Sequence, residues 1–396
     1  MIIMDNLKSG MLMPIAPLGI ICMQSSRELG DQINKNLVMQ RRAVVENGLI
    51  AAGLPGYIRD CYLIEHDTPR FANGEGKGII YESIRGKDLY IICDIGNYSC
   101  KYKMFGMEYP MSPDDHFADL KRVIAAAGGK ANRISVIMPL LYESRQHRRS
   151  ARESLDCALA LQELERLGVE NIITFDAHDP RVQNATPLSG FENIYPTYQI
   201  IKSMLNNIKD LNIHKDNMMI ISPDEGGMSR SLYYSSMLSL DVGMFYKRRD
   251  YTRLVNGRNP IVSHEYLGES VSGKDILIVD DILSSGDSVI DIAQELKKRN
   301  AKRTFVAVTF ALFTDGLAKF DQLYKDGIID GVFATNLTYG FPGLLEAPWY
   351  YDVNMSKFLS LIIDTLNHDQ SISTLLNPAE KIQNLINQYN LFFKMQ

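Results

Sequence analysis

Two adjacent aspartates, Asp280 and Asp281, close an apolar run and lead into the small-residue stretch Ser284, Ser285, Gly286, Asp287 and Ser288. A carboxylate at the end of a buried strand is costly unless it is paired or hydrogen-bonds a ligand. Small residues that run into a helix N-terminus turn backbone N–H groups toward an anion, and hydroxyls add donors. Acids for hydroxyl groups beside a cradle for phosphate suit a sugar phosphate. The plainer alternative is a strand–turn–helix connection with a Ser/Asp cap. The loop is not a Walker A loop, because GxxxxGK[ST] is absent.

Four further segments place polar chemistry just after apolar runs. Residues 174–179 (TFDAHD) carry Asp176 and His178, which a strand period of two would put on one face. The imidazole there could bind a divalent metal or a phosphate oxygen, or simply be a satisfied structural residue. In residues 221–227 (ISPDEGG) the glycines permit a close backbone approach and Asp224 can grip a metal or a hydroxyl; a glycine-rich turn is the bland reading. Residues 139–149 (PLLYESRQHRR) set Arg145 and Gln146 after a strand, within what could equally be a solvated basic run. Residues 245–249 (FYKRR) bring Lys247 and Arg249 to a long Gly/Asn/Pro-bearing segment through Gly273, expected to be a mobile loop whose cations could close over a polyphosphate. Upstream, residues 70–75 (RFANGE) read on their own as a hairpin turn.

The elements that must hold these groups are legible as short apolar runs. They lie at residues 18–23, 89–93 (LYIIC), 134–138 (ISVIM), 171–175 (NIITF), 218–222 (MMIIS), 276–279 (ILIV), 304–310 (TFVAVTF) and 332–335 (VFAT). Runs of this length without alternation predict strands buried on both faces. Between them the spacing is helical. Leu155, Leu159, Leu164 and Leu167 fall near one face before Gly168, and Val289, Ile292, Ala293 and Leu296 do so before Lys297, Lys298 and Arg299. Alternation of strand and helix predicts parallel sheets with helices on both faces, whose ligands collect beyond the carboxyl ends of the strands. The pattern restarts near residue 200, so two tandem α/β domains are expected, at 1–198 and 199–348. The tail 349–396, a helical pattern through 358–366 and then a Gln/Asn-rich stretch, should be a helical extension.

Composition sets the outer limits. A chain of 396 residues, 45% hydrophobic and 22% charged, is an ordinary globular sequence of about two or three domains. Its net charge of -5 argues against coating nucleic acid but not against small phosphorylated ligands. Five scattered cysteines with no CxxC pair form neither a disulfide framework nor a zinc site, and fit a reducing cytoplasm. The apolar stretch 11–23 is broken by Pro14 and Pro17, reads better as a first strand than as a signal segment, and no run has the roughly 20 residues a bilayer span needs. A cytoplasmic protein without membrane partners is expected.

Taken in order, these segments resemble the ribose-phosphate pyrophosphokinases (PRPP synthetases), over roughly residues 18–365. The 280–288 segment looks like the phosphoribosyl-pyrophosphate loop shared with type I phosphoribosyltransferases. The 174–179 segment is similar to the family's DxH segment with its Mg-binding histidine, and 221–227 to its ribose- and metal-binding turn. Residues 144–146 resemble its ARQ segment, 70–75 its FxNxE adenine loop, 83–88 (SIRGKD) its ESVRGxD strand start, and 247–249 its KxR catalytic loop. The resemblance implies two phosphoribosyltransferase-like domains, ATP and ribose 5-phosphate as substrates, Mg²⁺ as cofactor, and a homo-oligomer built from dimers or hexamers. It implies that Phe71, Asn73, Glu75, Arg145 and Gln146 hold ATP, the first three from a neighbouring subunit. It gives the sugar phosphate to Asp224, Asp280, Asp281, Ser284, Ser285, Gly286 and Ser288. Mg²⁺ falls to His178 and Asp224, and the moving group to Lys247, Arg249 and His178. Ser284 stands where the family has an acid, Asp287 where it has a glycine, Glu225 where it has a small residue and His147 where it has an acid. Insertions fall near 38–62 and 96–113. A transferase that consumes PRPP, or a non-enzymatic partner that regulates true synthetases, are the alternatives.

Overall fold

The computed structural model describes residues 13–48, 54–249 and 261–394. The chain divides into two compact units. One comprises residues 1–195, 337–339 and 354–376, and the other 196–336, 340–353 and 377–396. Both are α/β with helix-flanked, mainly parallel sheets.

The first unit contains β1 (Leu18–Cys22), β2 (His66–Asp67), β3 (Ile79–Ile80), β4 (Asp88–Ile92), β5 (Lys101–Met104), β6 (Met107–Pro110), β7 (Arg133–Ile137), β8 (Asn171–Phe175) and β9 (Gly190–Ile194). Its main sheet runs β1-β4-β7-β8-β9, parallel throughout. The apolar runs that signalled these strands are buried along their length, as a sheet covered on both faces requires. Local signals set the helix boundaries. Helix Pro113–Ala127 opens on a Ser112/Asp115 capping box with proline in its first turn, and closes on left-handed Gly128. Helix Asp156–Arg166 stops before Gly168, whose φ is +86°.

The second unit contains β10 (Met218–Ser222), β11 (Val242–Arg249), β12 (Ile261–Leu267), β13 (Asp275–Leu283), β14 (Arg303–Ala311), β15 (Gly331–Thr335) and β16 (Tyr350–Val353). The order is β12-β11-β10-β13-β14-β15-β16, parallel except for the β11–β12 pair. Its core packs Ile278 and Val306 of the sheet against Ile292 and Leu296, with Phe313, Phe320 and Trp349 at one end. Each sheet repeats one device at its amino edge. Asp88 and Arg133 open neighbouring strands and form a two-pronged ion pair, and Asp275 and Arg303 do the same in the other unit. This recurrence is the structural counterpart of the pattern that restarts near residue 200.

The tail does not stand apart as a third body. Helix Ser356–Asn367 packs on helix Arg27–Glu46 in the first unit, whereas helix Ala379–Lys394 packs within the second. Fully buried Arg41 fixes the former: its guanidinium donates to Asp364 at 2.7 Å and to Asn367 at 2.6 Å. It also lies over the rings of Tyr57 and Tyr62. Among the described residues no helix is long and apolar enough to cross a membrane.

Candidate active site

The second unit gathers most of the polar strand ends. β13 does not stop at Val279; it continues to Leu283 because β14 is long enough to pair with it through Asp280↔Val308, Ile282↔Phe310 and Leu283↔Ala311. Asp280 and Asp281 therefore lie inside a strand rather than beyond it. The Asp281 N–H donates to the Asp280 carboxylate at 2.9 Å. Arg230, buried in helix Met228–Leu238, spans both acids, with its nitrogens 3.7 Å from Asp280 and 3.7 Å from Asp281. Burial, and then the neighbouring Asp281 charge, push the Asp280 carboxyl well above the usual carboxylate range, with Arg230 opposing.

Asp280 is therefore poised to change charge, and the direction is fixed. An acid with a raised pKa takes up its proton at a higher pH than usual, so ligand binding that needs both carboxylates ionised is lost on the acid side. Replacing Arg230 with methionine removes the opposing cation, and the acid limb of affinity for the sugar phosphate expected from the sequence should move to higher pH. A pH titration of binding checks this, and an unmoved limb would contradict it.

The loop that follows is held by its neighbours. Thr314 N–H donates to the Ser284 carbonyl at 3.1 Å and Leu312 N–H to the Leu283 carbonyl at 2.8 Å. Gly286 caps helix Asp287–Lys298 at φ +85°, and a Cβ there would lie 2.6 Å from the Phe320 ring. Glycine is thus required twice over, by conformation and by space. Ser284, Ser285 and Ser288 are half-buried beside it.

Beside β13, the turn after β10 is a self-bonded knot. Ser222 Oγ donates to the Asp224 carbonyl at 2.8 Å, and Gly227 N–H donates to Asp224 Oδ1 at 3.2 Å. Asp224 is half-buried and Glu225 exposed. On the other side of β10, the main chain of β11 carries Lys247 opposite His264 and Arg249 opposite Ile261 on β12, with a bulge at Arg248/Arg249. These residues belong to an antiparallel strand pair rather than to the open loop expected from sequence. Their side chains, and residues 250–260 of the expected loop, lie outside the described residues.

In the first unit, β7 and β8 are neighbours, which brings residues 139–149 beside 176–179. The His147 and His178 ring centres are 5.4 Å apart, and His147 Nε2 is 3.4 Å from Asp179. His147 Nδ1 is buried without a hydrogen-bond partner. Asp179 accepts from the Arg181 side chain and main chain, which hold its carboxyl down at about 2. His178 and Arg145 are exposed, and the Gln146 side chain donates to the Ser154 carbonyl at 2.8 Å. Asp176 and His178 do not share a strand face. The chain turns left-handed at Asp176, φ +43°, so the pleat ends at Phe175; Asp176 is buried while His178 faces outward.

Residues 70–75 form a hairpin turn, closed by an Arg70–Gly76 bridge and by Phe71 N–H to Glu75 carbonyl at 2.7 Å. Asn73 donates to the Glu75 carboxylate at 2.9 Å, and Phe71 is 54% exposed. Arg70 anchors the turn through a two-pronged bond to buried Asp119. The β5–β6 hairpin, which fills much of residues 96–113, buttresses it through Phe105 N–H to the Ala72 carbonyl at 2.8 Å. A cleft of about 690 Å³ opens elsewhere in this unit, lined by Gln24, Arg27, His66 and Tyr81 among others, and holds none of the expected site residues.

Three charged groups at or near the polar strand ends escaped the sequence reading. Arg230 sits partway along a helix with no local signal. Lys319 donates to Asp287 at 2.9 Å from the first turn of helix Ala318–Lys325. Asp94, just past β4, follows an apolar run as Asp280 does and could have been found by that signal. Its buried carboxylate accepts from Gly96 N–H, Thr338 Oγ1 and Tyr339 N–H. Burial raises its carboxyl to about 6, against those hydrogen bonds.

Two helix-flanked parallel sheets with polar carboxyl edges, the second bearing an acid pair before a small-residue loop and helix, define a tandem phosphoribosyltransferase-like protein. The model of the N-terminal domain of ribose phosphate pyrophosphokinase matches residues 18–168, and that of the phosphoribosyl transferase domain matches residues 190–327. A protein named ribose-phosphate pyrophosphokinase from Vibrio parahaemolyticus is 27% identical over 312 residues, covering 78% of this chain and 90% of its own length. One of the same name from Ralstonia nicotianae is 28% identical over 270 residues, covering 67% and 76%. The crystal structure of phosphoribosylpyrophosphate synthetase from Mycobacterium smegmatis shares the fold, with a TM-score of 0.68 at 19% identity over 89% of this chain and 99% of that one. The chain belongs to the ribose-phosphate pyrophosphokinase family.

Proposed function

We propose that the chain transfers the β,γ-diphosphoryl group of ATP to the 1-hydroxyl of ribose 5-phosphate, yielding PRPP and AMP. Family membership supports this reading, and the observation that carries it in the structure is the Asp280–Asp281–Arg230 group at the mouth of the Ser284–Ser288 loop. Asp280 and Asp281 accept from the ribose hydroxyls. Ser284, Ser285, Gly286 and Ser288 take the 5-phosphate through hydroxyls and main-chain N–H groups at the helix start. The sugar O1 attacks the β-phosphorus in line, the bond from that phosphorus to the oxygen of AMP breaks, and the proton of O1 leaves to solvent or phosphate.

Little covalent chemistry is asked of the protein; positioning and charge neutralisation carry the rate. Phe71, Asn73 and Glu75 hold the nucleotide for a neighbouring copy in a dimer or hexamer, a role their exposure permits. Arg145 and Gln146 hold ATP from the β7 loop. Lys247 and Arg249 stabilise the diphosphoryl group as it moves.

The donor set fits Mg²⁺. No group of three or more His, Cys, Asp or Glu side chains among the described residues could hold a cation alone. Mg²⁺ commonly uses one or two protein ligands and completes its shell with substrate phosphates and water. His178 and Asp224 would each offer one such ligand, and Mg²⁺ would supply charge neutralisation on the phosphates.

The reading is tested by incubating the chain with ATP, Mg²⁺ and ribose 5-phosphate and following AMP. AMP formation should depend on the sugar. No AMP at all would favour the PRPP-consuming transferase or the regulatory partner instead, and AMP that forms equally without sugar would contradict transfer to ribose 5-phosphate.

A further inference from the structure

We propose that Lys319 is a positioning residue of the sugar-phosphate loop. By pairing with Asp287 it offsets the negative charge that the loop brings to its own ligand, so that the two residues act together. The inference rests on the reading of residues 284–288 as the sugar-phosphate loop.

Asp287 poses a conflict between folding and function. It is the first residue of helix Asp287–Lys298, where a carboxylate favours the helix by facing the positive end of its dipole. The same position is where an anionic ligand would draw on that dipole, so a bare aspartate repels the ligand and competes for its donors. The competition is visible within the loop, because the Ser285 hydroxyl donates to Asp287 Oδ2 at 2.9 Å.

Lys319 answers the charge from the opposite side. Its ammonium donates to Asp287 Oδ1 at 2.9 Å and to Asp315 Oδ2 at 2.9 Å. Of the causes that hold the Asp287 carboxyl below the usual range, the Lys319 hydrogen bond comes first and Ser285 second.

Although the ammonium is exposed, the backbone that presents it is fixed. The next residue, Phe320, is fully buried, and it is the ring against which Gly286 is fitted. Phe320 also packs on Phe313 and Trp349, with ring centres 5.1 and 5.4 Å away, and Trp349 donates to Asp321 at 2.8 Å. The connection carrying Asp315 is joined to the loop by Thr314 N–H to the Ser284 carbonyl at 3.1 Å. The segment that supplies the cation is therefore packed against the segment that supplies the acid. The departure of Asp287 from the family's glycine is compensated within this unit.

The prediction is one of suppression. In calorimetric titration of the full chain with ribose 5-phosphate, Lys319→Ala should weaken binding by roughly three- to tenfold, the scale of an exposed charge acting on a nearby anion. Asp287→Asn should bind as tightly as the parent or more tightly. The double variant Lys319→Ala/Asp287→Asn should regain most of the affinity lost in Lys319→Ala, because the acid of the loop is gone; Asp315, the other acid that Lys319 holds, remains but lies outside residues 284–288. Melting temperatures of the four proteins separate these effects from unfolding, since loss of fold would not be rescued by removing the acid. Parent-like affinity in Lys319→Ala would overturn the inference. So would a Lys319→Ala loss that persists undiminished beside Asp287→Asn, which would mean that Lys319 acts on the sugar phosphate directly. Asp281→Asn tests the underlying reading separately: it should lose ribose 5-phosphate binding whatever stands at 287 and 319. Unchanged binding there would overturn the assignment of the loop and the inference with it.

Discussion

Replacing Lys247 with alanine should lower diphosphoryl transfer by about 10³-fold or more while leaving ATP affinity within a few-fold of the parent. The asymmetry follows from when the interaction is made. A cation that meets the phosphates equally before and during transfer lowers KM alone, whereas one that meets the moving group only in the transition state lowers kcat. Residues 247–249 continue β11 beyond the Ser222↔Met244 pair, past the level at which neighbouring β10 turns to present Asp224. Because the main chain there is paired through Lys247↔His264 on β12, the substitution removes a side chain without dismantling a loop. Single-turnover rates beside equilibrium ATP titration separate the two effects. Loss of ATP binding in proportion to turnover would reassign Lys247 to ground-state binding.

The second large effect is on stability. Arg41→Ala should destabilise the first unit by about 3–5 kcal/mol, the usual cost of removing one partner from a buried ion pair. Both side chains are almost wholly enclosed, at 1% exposure for Arg41 and 4% for Asp364, so deletion of the guanidinium leaves a buried carboxylate unpaired. It also leaves the Asn367 side-chain oxygen without its 2.6 Å donor and removes the cation between Tyr57 and Tyr62. Because Asn367 in turn donates to buried Asp88 at 2.9 Å, the loss reaches the amino edge of β4. Chemical denaturation should show a lower midpoint, and limited proteolysis should cut near helix Ser356–Asn367 first. Arg41→Ala/Asp364→Leu should recover much of the loss, because no charge then remains buried. An unchanged midpoint would mean that the helix is held mainly by other contacts.

These expectations also mark what the amino-acid order makes visible. The central strands are legible because a sheet covered on both faces demands unbroken apolar runs, and 89–93, 134–138 and 276–279 are such runs. β9 (GFENI) and β16 (YYDV) escape notice because each lies at a sheet edge and is only partly buried. The carboxyl limit of β13 is misjudged at Asp280 because its length is set by β14, a partner some thirty residues away. Asp176 defeats the alternation rule through one left-handed residue.

At the site, acids that directly follow apolar runs can be found by position. The cations that govern their charge cannot: Arg230 and Lys319 come from other elements, and only the fold sets them against Asp280, Asp281 and Asp287. The tail reads as helical from spacing alone, but its division between two units depends on the burial of Arg41 and on packing no periodicity reports.

The proposed reaction is defined by which phosphorus moves. Given ATP labelled at the β-phosphorus, Mg²⁺ and ribose 5-phosphate, the chain should pass the label to the sugar product and release unlabelled AMP in equal amount. Label recovered in ADP or in free pyrophosphate, with none on the sugar, would contradict it.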